Sequence, residues 1–451
     1  MSLILLGAWT MRENESTQNR IIRNVGWSLA AKVTSLVGSL LVGIFVARYL
    51  GPDQYGLMNY VVSFNHLFLI IATFGFDNIE IREEAKNEGE RDRILGTVFQ
   101  MRMALSLITI MAICCVSCIN ETDRETFILI VVYSISVVMS PFDVIRNYFT
   151  SLVQNEYIAK VGMFRTAFSC LLKVVLLCIH AHLFLFVCSL VVDAMVLAQG
   201  YCYVYQRRQG RLRDWRFDRK WAKYILCQSF PLMLSGAAAT VFLQIDQIMI
   251  GNMIDKGNVG YFSVASRFVE VMLYVPTVLI QTVCPLLVVA KKENISEYRE
   301  KAQQFLNITL WICVIMSVIV SLLSYYIVRL TFGLQYYNSI AVLQVLAYKT
   351  VAVALNTVSG QILIIDEMQK LFVVRSLCGC VACVTLNYIV IPQYGIIGVA
   401  WVAIAAQLVS GFLIHAVIPQ YRYVFRMQLR AVALGWGDLV MAKSLIRNIK
   451  S

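Results

Sequence analysis

The chain has 451 residues, of which 59% are hydrophobic and only 15% charged, with a mean hydropathy of +0.69. No soluble fold hides that much apolar surface, so composition places the chain among polytopic membrane proteins and excludes an ordinary soluble enzyme. The formal net charge of +12 does not indicate nucleic acid either, because the basic residues fall in short segments between apolar runs, where membrane proteins keep them.

The first twenty residues, MSLILLGAWTMRENESTQNR, hold a short apolar patch with no basic leader before it and no small-residue cleavage pattern, so we expect 1–25 to stay as a cytoplasmic segment. Two long apolar runs follow, 26–48 and 57–76. The break between them, Leu50-Gly51-Pro52-Asp53, stops a helix by known means: glycine accepts left-handed dihedrals, proline lacks a donor, and Asp53 can cap the next helix. Further runs of bilayer length lie at 97–118, 126–145, 161–180, 183–204, 228–250, 261–289, 304–328, 339–364, 371–391 and 395–418, which makes twelve predicted spans.

An even count puts both termini on one side, and charge decides which. With the N-terminus cytoplasmic, 30 of the 39 Lys and Arg residues fall on the inner side, opposed by Arg48, Arg124, Lys256 and Arg329 alone. The rest, Lys32, Arg102, Lys173, Arg267 and Lys349, lie inside spans. Such a bias across every short loop predicts a multi-pass membrane protein with both termini in the cytoplasm.

The loop QRRQGRLRDWRFDRKWAK divides the runs into six and six. We expect an N-lobe over 26–205, a basic cytoplasmic loop over 206–227, a C-lobe over 228–420 and a basic, surface-lying cytoplasmic tail over 421–451. In the loop, Trp215 and Trp221 are expected at headgroup level with Arg and Lys against anionic lipid. A shift of 204 residues pairs Ala47 with Gly251, Gly56 with Gly260, Tyr60 with Val264 and Phe64 with Phe268. Gly51, Pro52, Gly56 and Gly260 are read as structural turn residues. The expected fold is therefore all-α, twelve transmembrane helices in two six-helix lobes related by a pseudo-two-fold repeat, an architecture suited to alternating access.

There is no glycine-rich phosphate loop, no HExxH and no soluble domain to hold a catalytic sheet, so neither a built-in ATPase nor a conventional enzyme is expected. Of thirteen cysteines, Cys114, Cys115, Cys118, Cys170, Cys178, Cys188, Cys378, Cys380 and Cys383 sit in apolar runs and read as small buried hydrophobes rather than metal ligands. His66, His180, His182 and His415 are scattered, with no metal cluster. The informative groups are ionisable residues within spans, which are costly unless they face a cavity, a partner or headgroups. Lys32 is either a headgroup anchor or a cavity wall; Arg48 reads as an interfacial anchor. Asp77 caps or pairs with Arg82, and Lys173 and Asp193 are candidate partners. Gln244, Asp246 and Gln247 form the sharpest polar feature. Asp246 has no cation in its own span, so Arg267 or Lys349 is its expected contact, while Arg267 and Glu270 stand three residues apart. Lys32, Lys173, Asp193, Asp246, Arg267, Glu270 and Lys349 are thus the candidate cavity residues, serving either to lock the lobes or to line a polar cavity. The cations suit an anionic head group such as a polyprenyl pyrophosphate.

Several stretches carry a family resemblance. They are Asn24-Val25-x-Trp27, ARYLGPDQYGLMNY from Ala47 to Tyr60, Phe64, and IATFGFDNIEIRE from Ile71 to Glu83. DQIMIGNM from Asp246 to Met253, Gly260-Tyr261-Phe262-Ser263, and IPQYGIIGVAWV from Ile391 to Val402 extend it across nearly the whole chain. Here the sequence resembles the polysaccharide flippase family, the O-antigen and repeat-unit exporters of the multidrug, oligosaccharidyl-lipid and polysaccharide exporter superfamily. The resemblance implies movement of an undecaprenyl-pyrophosphate-linked oligosaccharide to the outer face for O-antigen, capsule or exopolysaccharide synthesis. No cofactor is implied beyond coupling to H⁺ or Na⁺. Implied partners are anionic lipids, a polysaccharide polymerase and chain-length proteins. Two other functions stay open: an exporter of the same fold for a peptidoglycan lipid precursor or drug cations, and an integral membrane glycosyltransferase or polymerase. The short outward loops disfavour the last.

Overall fold

A computed structural model describes residues 2–121, 123–368 and 372–437. All regular structure among them is helical: α1 Ser2–Thr73, α2 Phe76–Lys86, α3 Arg91–Asn120, α4 Arg124–Ser134, α5 Asp143–Ser151, α6 Asn155–Cys178, α7 Leu183–Arg208, α8 Arg219–Met253, α9 Lys256–Glu293, α10 Ile295–Thr331, α11 Ser339–Leu346, α12 Lys349–Ile365, α13 Phe372–Leu408, α14 Ile414–Val417 and α15 Arg422–Leu434. Among the described residues, ten stretches are long and apolar enough to cross a bilayer, which makes this a multi-pass membrane protein. The first, Ala30–Lys86, and the last, Phe372–Val417, run for 57 and 46 residues, far beyond the roughly 20 that one crossing needs. Each is interrupted by a glycine in the left-handed region, Gly51 at φ 73° and Gly395 at φ 56°, with a proline beside or just before it. A side chain at either position would be strained by its own Cβ, so the helix breaks where the glycine stands.

The chain forms two compact units, one of residues 1–49 and 64–236, the other of 50–63 and 237–451. In the first, α2, α3, α5 and α7 close around Phe76, Ile94, Leu95, Val144, Phe149 and Tyr205. In the second, Tyr298, Leu306, Val358, Ile362, Tyr421 and Val424 form the main core. Large apolar side chains such as Phe164, Leu171, Leu286 and Leu322 remain exposed on helix surfaces. In a bilayer, lipid covers such surfaces, so packing supplies only the inward faces.

Within the second unit, the 50–63 segment crosses the start of α9 with almost no side chain between them. A Cβ on Gly56 would run into the backbone carbonyl of Lys256, and one on Gly260 into that of Pro52. Three side-chain contacts flank the crossing. The Ser63 hydroxyl donates to Gln247 Oε1 at 2.7 Å, the Tyr60 hydroxyl to Asn252 Oδ1 at 2.6 Å, and Lys256 Nζ sits 3.2 Å above the Tyr60 ring.

Three local expectations change. The loop over 206–227, expected against lipid headgroups, is also fastened to the first unit: Arg216 N–H donates to the Asp92 carbonyl at 3.0 Å, and Asp218 N–H to Thr97 Oγ1 at 2.9 Å. Trp215 donates to the Tyr205 hydroxyl at 2.9 Å and packs against Phe99. Gly96 permits the approach, because a Cβ there would meet the Arg216 backbone. The tail begins with α15, whose one face enters the second unit. There the Gln428 amide is fully buried and donates to Ser359 Oγ and the Gly411 carbonyl, each at 2.7 Å, and its Oε1 faces His415 Nδ1 at 3.1 Å. Gly411 belongs to a π-helical turn, Val409–Leu413, where the i→i−4 ladder shifts and a carbonyl is left for another donor. Tyr423 donates to Asp366 at 2.5 Å, and burial together with that carboxylate pushes its phenol up. The tail beyond residue 437 lies outside the described residues. Of the nine apolar-run cysteines only Cys383 is fully buried; Cys115, Cys118 and Cys178 are exposed on helix surfaces, because lipid accepts a thiol as readily as a protein core does.

Candidate functional site

The first unit gathers charge at α2. Asp77 and Glu80 are three residues apart and so share a helix face. Arg102 Nη2, on α3, donates to Asp77 Oδ1 at 2.7 Å and to Glu80 Oε2 at 3.0 Å. Asn147 Nδ2, on α5, donates to the same two oxygens at 2.8 and 2.7 Å. Arg146 lies 3.5 Å from Asp77 and 3.6 Å from Asp143, which extends the chain of charges. The Arg102 and Glu80 side chains are 1% and 0% exposed, so the pair depends on its own hydrogen bonds rather than water. Asp77 does not pair with Arg82 as expected. Five residues on, Arg82 is rotated about 140° around the helix axis at ~100° per residue, and it bonds Glu83 at 2.9 Å instead.

Next to this cluster lies a cavity of about 390 Å³ lined by His66, Tyr133, Ser136, Ser140, Asp143, Arg165, Asp193 and Tyr201, among others. The fourth predicted span, which borders it, is not continuous α-helix. Residues Ile135–Phe142, with Pro141 inside, adopt a 3-10 helix between α4 and α5, whose three-residue period sets Ser136 and Met139 in one row and Val137 and Ser140 in the next, and both rows line the cavity. Lys173 and Asp193, expected as partners, are joined here at 2.9 Å, and Ser169 donates to the same carboxylate oxygen at 2.6 Å. The other oxygen, Asp193 Oδ1, is buried with no hydrogen-bond partner among the described residues.

The second unit holds the remaining predicted residues. Asp246 is 3% exposed and accepts from Asn387 Nδ2 at 2.7 Å and Cys383 Sγ at 3.3 Å. Neither Arg267 nor Lys349 contacts it, contrary to expectation. Cys383 and Asn387 are one turn apart on α13, and together they supply two donors without a second buried charge. Arg267 instead pairs with Glu270 at 3.2 Å, and both side chains are about half exposed. Lys349 is half-buried and makes no hydrogen bond or ion pair among the described residues, although it and Asp246 both act electrostatically on Cys383. Lys32 is exposed on α1. Gly51 and Pro52 form the helix break; Gly56 and Gly260 form the crossing. Among the described residues, no three His, Cys, Asp or Glu side chains converge as a metal-binding group.

A family model described as "Polysaccharide biosynthesis protein" matches residues 21–291. The chain belongs to that family. No curated protein sequence matches the chain. Its fold recurs in solved structures. An inward-facing multidrug resistance MATE family transporter of the MOP superfamily is 15% identical with a TM-score of 0.66, over 89% of this chain and 95% of that one. The lipid II flippase MurJ, in an inward closed conformation, is 15% identical with a TM-score of 0.66, over 92% of each chain. A MOP superfamily transporter from Pyrococcus furiosus, described as having a binding pocket of reversed polarity, is 12% identical with a TM-score of 0.53, over 92% and 94%. The chain therefore has the fold of MOP superfamily transporters.

The family match spans the α2 cluster and its cavity, where residues such as Glu80, Arg102, Asn147, Asp143 and Arg165 were not singled out as site candidates. One signal was present: Asp77, Glu80 and Glu84 recur at three- and four-residue spacing on one helix face, next to a span carrying the lone cation Arg102.

Proposed function

We propose that this polysaccharide biosynthesis protein is a flippase that moves undecaprenyl-pyrophosphate-linked oligosaccharide repeat units from the cytoplasmic to the outer face of a bacterial inner membrane. The observation that carries this reading is the conjunction of the family match with a fold shared with a lipid II flippase. Twelve spans in two lobes follow if the two over-long apolar stretches each cross twice, turning at Gly51 and Gly395. The pseudo-two-fold repeat is supported by the contact around Gly56 and Gly260. Positions 52 and 56 become 256 and 260 under the 204-residue shift, and the contact is reciprocal: 56 meets 256 while 260 meets 52. On this reading both termini are cytoplasmic, and the lobes are those of 26–205 and 228–420.

Arg267 and Lys349 are the cations we assign to the pyrophosphate, because one is accessible and the other has no carboxylate partner among the described residues. Lys173, already bound to Asp193, is assigned to holding the first unit's cavity in shape. Coupling to H⁺ or Na⁺, and cooperation with a polymerase and chain-length proteins, belong to the same proposal.

The test is outer-leaflet accessibility of the lipid-linked glycan in a deletion strain carrying the wild type, Asp246→Asn, Lys173→Ala, Arg267→Ala or Lys349→Ala at matched protein levels. Normal outer-face units in the deletion strain overturn the flippase reading, and full translocation by all four variants overturns the charged-cavity reading. A drug-cation exporter, the alternative raised by the MATE likeness, would instead change drug efflux and leave the glycan unaffected.

A further inference from the structure

A second pocket, of about 560 Å³, lies within the second unit and has a different chemistry from the charged clusters. Three turns build it: the α8–α9 connection, the α10–α11 connection and the Gly395 break. It is lined by the rings of Tyr325, Tyr337 and Tyr394 and the side-chain amides of Asn258, Asn338 and Gln344, with no charged residue in the lining. Tyr337 and Tyr394 are 63% and 66% exposed, so their ring faces are open. Asn338 and Gln344 are exposed and make no hydrogen bond within the described residues, which leaves their donors and acceptors available. Asn258 Nδ2 donates to Asp255 at 2.7 Å, and the Tyr325 hydroxyl accepts from Arg329 at 3.0 Å, so two lining residues are tied to charges that are not themselves part of the lining.

Rigid aromatic faces beside adaptable amides recognise a ligand that is apolar on its C–H faces and rich in hydroxyls at its edge. A volume of this order holds a small ligand rather than a lipid chain. We propose that this pocket binds a neutral sugar residue, and that it holds the glycan on the outer face once it has crossed. All three turns are outer ones under the charge-derived topology, so the proposal rests on the flippase reading. Tyr337 and Tyr394 would stack on the sugar, and Asn338 and Gln344 would exchange hydrogen bonds with its hydroxyls.

The experiment is saturation-transfer difference NMR on the full chain in detergent micelles, with the methyl glycosides of glucose, galactose and N-acetylglucosamine as probes and methyl glucuronide as the anionic control. The expected result is saturation of at least one neutral glycoside, lost in Tyr337→Ala and Tyr394→Ala and weakened in Asn338→Ala and Gln344→Ala. Those two amides make no internal hydrogen bond, so their variants report binding without loss of the fold. Tyr388→Ala removes an equally exposed tyrosine outside the pocket and is expected to bind as the wild type does. Tyrosines that only anchor the chain at the membrane interface would give no saturation of any neutral glycoside, which overturns the proposal. Saturation that survives both pocket tyrosine substitutions, or that is equal for the glucuronide, overturns it too. Because the readout is binding, a wild type that flips glycan but gives no saturation removes the pocket and leaves the flippase reading intact. A deletion strain with normal outer-face glycan removes the flippase reading, whatever the NMR result.

Discussion

Gly56 and Gly260 are 204 residues apart in the sequence, and in the structure each meets the backbone of the segment that carries the other. Any side chain at either position must push the two helices apart. Gly56→Val and Gly260→Val are therefore expected to destabilise the protein by at least the ~1–3 kcal/mol of a typical overpacking change. Thermal melting in detergent would show it, with Gly43→Val as the control, since a Cβ there meets nothing within 4 Å.

Among the described residues, Arg102 is the one guanidinium that touches both Asp77 and Glu80. Its removal leaves a fully buried carboxylate with Asn147 as its remaining donor. Arg102→Ala should cost about 3–5 kcal/mol, the scale for breaking a buried ion pair from one side. Arg102→Met combined with Glu80→Gln should recover a substantial part. Folded yield and melting temperature of the single and combined variants check this; equal losses in both would remove the ion pair as the cause.

The Lys173–Asp193 contact at 2.9 Å predicts coupling between two helices that the sequence lists separately. In a cycle of Lys173→Met, Asp193→Asn and the double variant, the interaction energy should fall at about 0.5–3 kcal/mol. Additive single effects would mean that the two side chains are held apart by water.

Asp246 predicts a contrast between isosteric and apolar replacement. Asp246→Asn keeps an acceptor for Asn387 and should leave the melting temperature close to that of the wild type. Asp246→Leu strands the Asn387 amide and should cost about 1–3 kcal/mol. Glycan accessibility measured on Asp246→Asn then reports the carboxylate's charge separately from its packing.

Gln428 pins α15 through Ser359, the Gly411 carbonyl and His415. Gln428→Leu leaves those groups without the amide and should destabilise by about 1–3 kcal/mol. The increase should appear as faster proteolysis near residue 421, read by mass spectrometry of limited digests.

Much of the backbone was legible beforehand because its determinants are local. Apolar runs of bilayer length, and a glycine with a proline beside it, act on their own segment, so the break at Gly51 could be read from the four residues Leu50-Gly51-Pro52-Asp53. The Asn147 and Arg102 partners of Asp77 could not, because nearest-neighbour logic offered Arg82, which helix rotation carries to another face. The 3-10 turn at Ile135–Phe142 also escaped notice, since its composition is that of an ordinary apolar span and only Pro141 marks it.

By itself the sequence determined that this is an all-helical membrane protein, where its long helices break, and which ionisable residues lie among apolar ones. Hydropathy and backbone sterics are properties of short segments, and they suffice for that. Tertiary structure alone decided that Asp246 rests on an amide and a thiol rather than a cation, that Arg102 rather than Arg82 meets Asp77, and that Gly56 and Gly260 share one crossing. Those outcomes depend on which helix faces meet across tens or hundreds of residues, and the desolvation cost of a buried charge is settled only when its actual neighbours are in place.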